Sequence, residues 1–319
     1  MKAAVHLCYG PPDVVNVTER PIPVPGEGEF LVRVHATTVN RTDCGFRSAV
    51  YVISRLFSGF FKPKHTILGC EYAGEVVEVK GASTVTVGDR VFGYNDTRFG
   101  GHAEYIVVRE GDAYAAIPNT MSYIDAAPLT EGAHYALCNL RAARVTNGTS
   151  VLVYGATGAI GSAAVQVALT MGARVTALCA SQHVELIRSL GADRVLDYTK
   201  PEFTDLHEQY DLVFDAVGKL SWSHVKPLLT KRGMYISTEL GPRYENPFLA
   251  LITPLLGGRR VLFPIPTISR EDVGFIRSLV VSGQFRPLID RVMTLDEIVE
   301  AYRYVETGQK VGNVVLRVD

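Results

Sequence analysis

Val151-Leu152-Val153-Tyr154-Gly155-Ala156-Thr157-Gly158-Ala159-Ile160-Gly161-Ser162-Ala163-Ala164-Val165-Gln166-Val167-Ala168 runs a strand, a glycine turn and an amphipathic helix together without a break. Glycines at such a turn let the backbone approach a pyrophosphate and let the helix pack tightly on its sheet. The free N–H groups and positive end of the helix favour the anion. The spacing here is Gly155-x-x-Gly158-x-x-Gly161, with Ala156 inside the turn, and Thr157, Ala159 and Ile160 complete the expected phosphate-facing backbone.

Outward from this turn, strand and helix patterns alternate. Ser150–Tyr154, Arg174–Cys179, Arg194–Tyr198, Leu212–Ala216, Met234–Ser237 and Arg260–Phe263 are strand candidates, several separated by helical patterns. That rhythm predicts βαβ units and a doubly wound, six-stranded parallel Rossmann sheet. Before about residue 120 the texture differs. Short β-branched stretches such as 29–36, 73–79 and 90–94, bounded by Gly-Glu, Gly-Ala and Gly-Asp turns, predict a β-rich domain. After Pro266 an amphipathic stretch (270–283), a helix (295–308) and a last strand (313–318) have no sheet of their own large enough to pair with. The tail is therefore expected to fold back onto the first domain, giving 1–122 with 267–319, interrupted by 123–266.

Composition narrows the function classes. A chain of 319 residues fits two domains, and a formal charge of −1 gives no general field for nucleic acid or an anionic membrane. No window approaches the about 18 apolar residues of a membrane span. Cys8, Cys44, Cys70, Cys138 and Cys179 are odd in number and form no C-x-x-C pair, which argues against a disulfide framework or a four-cysteine zinc lobe. A soluble, cytoplasmic protein is the expectation.

A dinucleotide site usually ends its second strand on Asp or Glu when it selects the unphosphorylated ribose. Here the stretch reads Leu178-Cys179-Ala180-Ser181-Gln182-His183, with no carboxylate before Glu185 and no cation between Arg174 and Arg188. NADPH is therefore expected over NADH, with Ser181 and His183 as candidate phosphate donors; an ordinary helix cap is the competing reading of Ser181.

Met1-Lys2-Ala3-Ala4, Val39-Asn40-Arg41-Thr42-Asp43, Ile67-Leu68-Gly69-Cys70-Glu71-Tyr72-Ala73-Gly74 and Val87-Gly88-Asp89-Arg90-Val91-Phe92-Gly93 continue the pattern upstream of the turn, as does 100–105. Leu190-Gly191-Ala192-Asp193, Phe214-Asp215-Ala216-Val217-Gly218 and Gly312-Asn313-Val314-Val315-Leu316 continue it downstream. In this order the chain resembles the medium-chain dehydrogenase/reductase superfamily, and most closely its zinc-free branch of NADPH-dependent quinone or enone reductases. The resemblance implies a discontinuous GroES-like catalytic domain around a Rossmann domain. It also implies a tyrosine near the 2′-phosphate, matching Tyr198, a nicotinamide lined by Val217, Gly218 and Phe263, and a homodimer paired through 260–263.

On the positions where zinc enzymes of the superfamily place Cys, His and Cys, this chain has Asn40, Cys70 and Ala127 or a close neighbour. One thiolate beside Glu71 makes a poor zinc site, so no metal is expected, and His65, His102 and His134 read as packing residues. Without a Lewis acid, oxidation of a simple alcohol is difficult, whereas a quinone or α,β-unsaturated carbonyl delocalises the incoming charge itself. Hydride transfer from NADPH to such a substrate is the expected reaction.

Asn40 is the candidate amide donor to the carbonyl or ribose, Tyr51 the candidate phenol, and Asp43 the residue that organises their loop. Tyr51, Leu56, Phe57, Phe60 and Phe61 form an apolar stretch suited to a pocket wall. Two departures from the family pattern, Arg41 in place of proline and Glu131-Gly132-Ala133-His134 in place of an apolar-aromatic turn, leave the substrate open. An alcohol or aldehyde dehydrogenase and a low-turnover NADPH-binding regulator are the competing readings.

Overall fold

The computed structural model describes residues 1–49, 55–200 and 208–318, without the side chains of Leu56 and Phe57. The chain divides into two units: Met1–Glu131 with Ile268–Val281 and Pro287–Asp319, and Gly132–Thr267 with Ser282–Arg286.

The first unit is built on the eleven-residue strand Glu29–Val39, whose Phe30, Val32, Val34 and Val39 are buried. It pairs antiparallel with Glu71–Lys80, with Tyr105–Arg109 and with the C-terminal strand Asn313–Arg317. Arg90–Tyr94 and Ala113–Ala116 extend the sheet on one side, and Ile289–Thr294 lies parallel to 313–317 on the other. The tail thus folds back as its pattern requires: Val314 stands opposite Val39 and Leu316 opposite Thr37. The helix before it, Ile298–Glu306, buries Ile298, Ala301, Tyr302 and Val305, the i, i+3, i+4, i+7 face of a helix laid on a core. Residues 123–131, expected in the second domain, group with the first unit, because Thr130 and Glu131 are hydrogen-bonded to Glu71 of its sheet.

The second unit carries six parallel strands: Ser150–Tyr154, Arg174–Cys179, Arg194–Asp197, Tyr210–Asp215, Leu229–Ser237 and Arg260–Leu262. Numbered along the chain, their spatial order is third, second, first, fourth, fifth, sixth. The sheet is the Rossmann sheet that the alternating rhythm predicts, and its order reverses between the first and fourth strands. The helix Ala159–Thr170 after the glycine turn is buried at nine of its twelve positions, so small residues are required nearly all round it. Among the described residues no helix is long and apolar enough to cross a membrane.

Leu316 is fully buried on the strand that closes the first sheet. Leu316→Ala should lower unfolding stability by about 2–5 kcal/mol, read from urea denaturation. A loss within error would show that the fold-back strand does not anchor this unit.

Candidate active site

At the second unit's switch point, the turn after the first strand meets the loop after the fourth. Gly155 has φ +78°, and a Cβ there would lie 2.7 Å from the Val217 side chain. A Cβ on Gly161 would fall 2.1 Å from the Gly155 carbonyl oxygen, so only glycine lets the helix start pack against its own turn. Gly158 differs. Its φ is −72°, and a Cβ would meet nothing closer than the Gly155 oxygen at 3.6 Å. The space above Gly158 is open, at the N-terminus of a twelve-residue helix whose first N–H groups have no partner within the helix. A pyrophosphate fits such a cradle.

The loop after the fourth strand is held from beneath by Asp215, fully buried, whose carboxylate accepts from the N–H groups of Val217 (3.1 Å), Gly218 (2.8 Å) and Leu220 (2.8 Å). Half-buried Phe263 follows directly on the sixth strand. At the ends of the second and third strands, the Ser181 hydroxyl donates to Asp197 and lies 3.0 Å from the Thr199 hydroxyl, while Tyr198 is exposed with its ring 5.9 Å from that of Tyr154.

Ser181 and Asp197 line a 470 Å³ cavity together with Arg188 and Lys200. These two cations escape a search confined to the residues just after the second strand, because folding of the next strand brings them in. Glu185 pairs with Arg188 at 2.5 Å and Asp197 stands beside Lys200, so the cavity has no net excess of positive charge. The ring of His183 contacts the Gln182 amide at 3.2 Å.

The first unit holds a second cluster, centred on Glu71. This carboxylate is fully buried and accepts five hydrogen bonds. The Thr130 N–H (2.8 Å), the Thr130 hydroxyl (2.7 Å) and the Glu131 N–H (2.6 Å) reach Oε1; the Thr38 hydroxyl (2.7 Å) and the Asn40 amide (2.9 Å) reach Oε2. Asn40 spends its other amide hydrogen on Thr38 Oγ1 at 2.8 Å. The carboxylate can only accept, which orients the amide nitrogen inward. Asn40 therefore spends both amide hydrogens within the first unit and stiffens the carboxylate site.

Asp43 accepts from the N–H groups of Asn40 (2.9 Å) and Gly69 (3.0 Å) and from the Cys70 thiol (3.4 Å), binding the 40–43 segment to the 69–70 turn. Burial pushes the Cys70 thiol well above its usual range. Ala127 offers no donor, and among the described residues no group of three or more His, Cys, Asp and Glu side chains is arranged to hold a metal ion.

His102 bonds the Thr38 carbonyl at 2.8 Å, His65 packs on Phe99 and His134 on Tyr135. Tyr51 lies outside the described residues. Of the apolar stretch beside it, Phe60 and Phe61 are exposed and pack edge to face at 5.0 Å.

Glu131 completes the cluster. It is 4% exposed; Oε1 accepts the Thr42 hydroxyl at 2.9 Å, and Oε2 is buried with no hydrogen-bond partner. Burial first, then the negative charges of Glu71 and Asp43, push its carboxyl well above the ordinary range, against the Thr42 hydrogen bond and the Lys310 charge.

Comparison with known proteins adds independent weight. Residues 26–119 match the family model described as alcohol dehydrogenase GroES-like domain, and 190–316 the one described as zinc-binding dehydrogenase. The chain is 31% identical to a 2-methylene-furan-3-one reductase of Solanum lycopersicum, over 99% of this chain and 79% of that protein. It is 30% identical to a chloroplastic quinone oxidoreductase of Triphysaria versicolor, over 93% and 92%. The structure of the quinone oxidoreductase from Coxiella burnetii superposes with a TM-score of 0.88 at 25% identity, covering 100% and 99% of the two chains.

Replacing Glu71 with Gln puts an amide N–H₂ among five donors. Glu71→Gln should cost about 3–5 kcal/mol, the scale of an uncompensated buried polar defect, measured by chemical denaturation. A loss under 1 kcal/mol would show that the carboxylate does not hold this cluster together.

Proposed function

We propose that this chain, which belongs to the medium-chain dehydrogenase/reductase superfamily, is a zinc-independent oxidoreductase that transfers a hydride from NADPH to a quinone or an α,β-unsaturated carbonyl. The observation that carries the reading is the open cradle above Gly158 at the switch point, where ligands of such sheets bind. The two relatives named for a quinone and a conjugated ketone support the substrate class.

The nicotinamide supplies the hydride when bound; the protein supplies position and charge. The backbone of Gly155, Ala156, Thr157, Gly158, Ala159, Ile160 and Gly161 holds the pyrophosphate. Val217, Gly218 and Phe263 line the nicotinamide, with Asp215 fixing the first two from below. Ser181 and Tyr198, with Lys200 and Arg188 nearby, receive the 2′-phosphate. Asn40 and Asp43 act as positioning residues in the first unit, and Tyr51 remains the candidate phenol.

Zinc independence is supported by the donor set. An amide committed to Glu71, a buried thiol and an alanine stand where a tetrahedral site needs three soft or borderline ligands. The acceptor itself must then take up developing charge, which a quinone or enone does through conjugation.

The sixth strand, Arg260–Leu262, is the open edge of its sheet, and the adjoining helix Glu245–Leu256 exposes Phe248, Leu251, Leu255 and Leu256. We assign this face to a homodimer. The five free thiols fit a reducing compartment such as the cytoplasm.

Gly158→Val should abolish NADPH binding at concentrations that saturate the wild type, with little change in melting temperature, because a Cβ there meets nothing closer than the Gly155 oxygen at 3.6 Å. Unchanged affinity would refute the cradle. Metal analysis separates the alternative of an alcohol dehydrogenase: stoichiometric zinc, removed by EDTA together with activity, would overturn the zinc-free reading. Sedimentation should show a dimer that Leu255→Glu dissociates; a monomeric wild type would remove the dimer assignment.

A further inference from the structure

The second strand of the parallel sheet ends without a carboxylate, and the third strand supplies one beside it. Arg194–Asp197 runs parallel to Arg174–Cys179 with Asp197 opposite Cys179, so its carboxylate reaches the residues that follow the second strand. There the Ser181 hydroxyl donates to Asp197 Oδ2, while the Thr199 N–H (2.9 Å) and the Thr199 hydroxyl (2.6 Å) donate to Oδ1. A carboxylate has about four acceptor sites, and these three bonds leave one, on Oδ2. The Ser181 and Thr199 hydroxyls lie 3.0 Å apart, each giving its proton to the same acid. Asp197 also lines the 470 Å³ cavity with Ser181, Arg188 and Lys200, so the acid borders open space rather than packed core.

We propose that Asp197 is a specificity-determining residue for the cofactor: it accepts the ribose 2′-hydroxyl of NADH and opposes the 2′-phosphate of NADPH, so that this chain takes both nucleotides and its preference for NADPH is small. The inference rests on the cofactor cradle of the reductase reading and names what limits selection within it. Sheets of this strand order place the adenosine ribose at the end of the second strand, where an acid selects the free hydroxyl. Here the neighbouring strand delivers that acid. A serine hydroxyl has one proton. For Ser181 to donate to a phosphate it must give up Asp197, and the phosphate then meets a like charge beside it. Two cations stand against this. The Lys200 N–H bonds the Asp197 carbonyl at 3.3 Å, which keeps the lysine on the same turn, and Arg188 is paired with Glu185 at 2.5 Å. Attraction and repulsion thus come from one short segment and largely offset one another.

Asp197→Asn removes the negative charge and keeps the shape. Its amide oxygen can still accept from Thr199, and its N–H₂ group can donate to a phosphate. A phosphate carrying up to two negative charges should gain from the change, whereas a free 2′-hydroxyl loses its charged acceptor. The effect is electrostatic at a site open to water, so salt should screen it.

The test titrates the full-length wild type and Asp197→Asn calorimetrically with 5′-AMP and adenosine 2′,5′-bisphosphate, then with NADH and NADPH, at low and high salt. Wild type should bind both dinucleotides. At low salt the variant should bind the bisphosphate and NADPH about tenfold more tightly, the scale of removing a unit charge a few ångströms from a dianion in water-like surroundings. 5′-AMP and NADH should not tighten, and high salt should shrink the gain. A variant that changes both kinds of nucleotide equally, or neither, overturns the inference. So does a wild type that binds NADPH and not NADH, and either result leaves the reductase reading standing. A wild type that binds none of the four overturns the cradle and this inference with it. Should Asp197→Asn not fold, Lys200→Ala decides. Without that cation the acid prevails, so the bisphosphate should weaken while 5′-AMP does not; unchanged affinity for the bisphosphate overturns the inference.

Discussion

One buried carboxylate sets the terms for the first unit. Glu71 takes hydrogen bonds from Thr38 near the end of the long central strand, from Asn40 just beyond it, and from the backbone that enters the helix Glu131–Ala142. A single acceptor thereby joins segments about 30 and 60 residues away in sequence. Water would have to be replaced donor for donor to bury such a group, and the fold does so with five hydrogen bonds of 2.6 to 2.9 Å. The proposed reaction accordingly leaves the stabilising of negative charge to the conjugation of the substrate and to hydrogen bonds.

The second unit reaches its function by leaving space. At Gly155 and Gly161 the backbone is so close to its neighbours that a methyl group would collide, whereas at Gly158 it would not. Three glycines in one motif thus do two jobs: the outer pair brings strand, turn and helix into contact, and the middle one keeps open the room that the tight packing around it creates. Asp215 performs the matching role across the switch point, spending a buried carboxylate on the N–H groups of the next loop so that Val217 and Gly218 are held in register.

Much of this is legible before folding is considered. Strand, turn and helix periodicities around 151–168 announce the parallel sheet, and a tail with an orphan strand announces the discontinuous first unit, because both are local patterns with one physical solution. What stays hidden depends on distant partners. The amide of Asn40 reads as a free donor until Glu71, 31 residues on, claims it. Arg188 and Lys200 join Ser181 only once the third strand lies beside the second. The membership of residues 123–131 follows from two backbone bonds to Glu71, which no composition shift marks. Glu131 appears in the sequence as a departure from a family pattern; its unpartnered oxygen exists only in the fold.

In the proposed reaction a hydride goes from the nicotinamide to the conjugated carbon of the acceptor. NADPH deuterated at the transferring position, incubated with the chain and an enone, tests this directly by locating the label in the product. Deuterium on the β-carbon of a saturated ketone is the expected result. Deuterium on the carbonyl carbon of an alcohol, or none in any product, would contradict it.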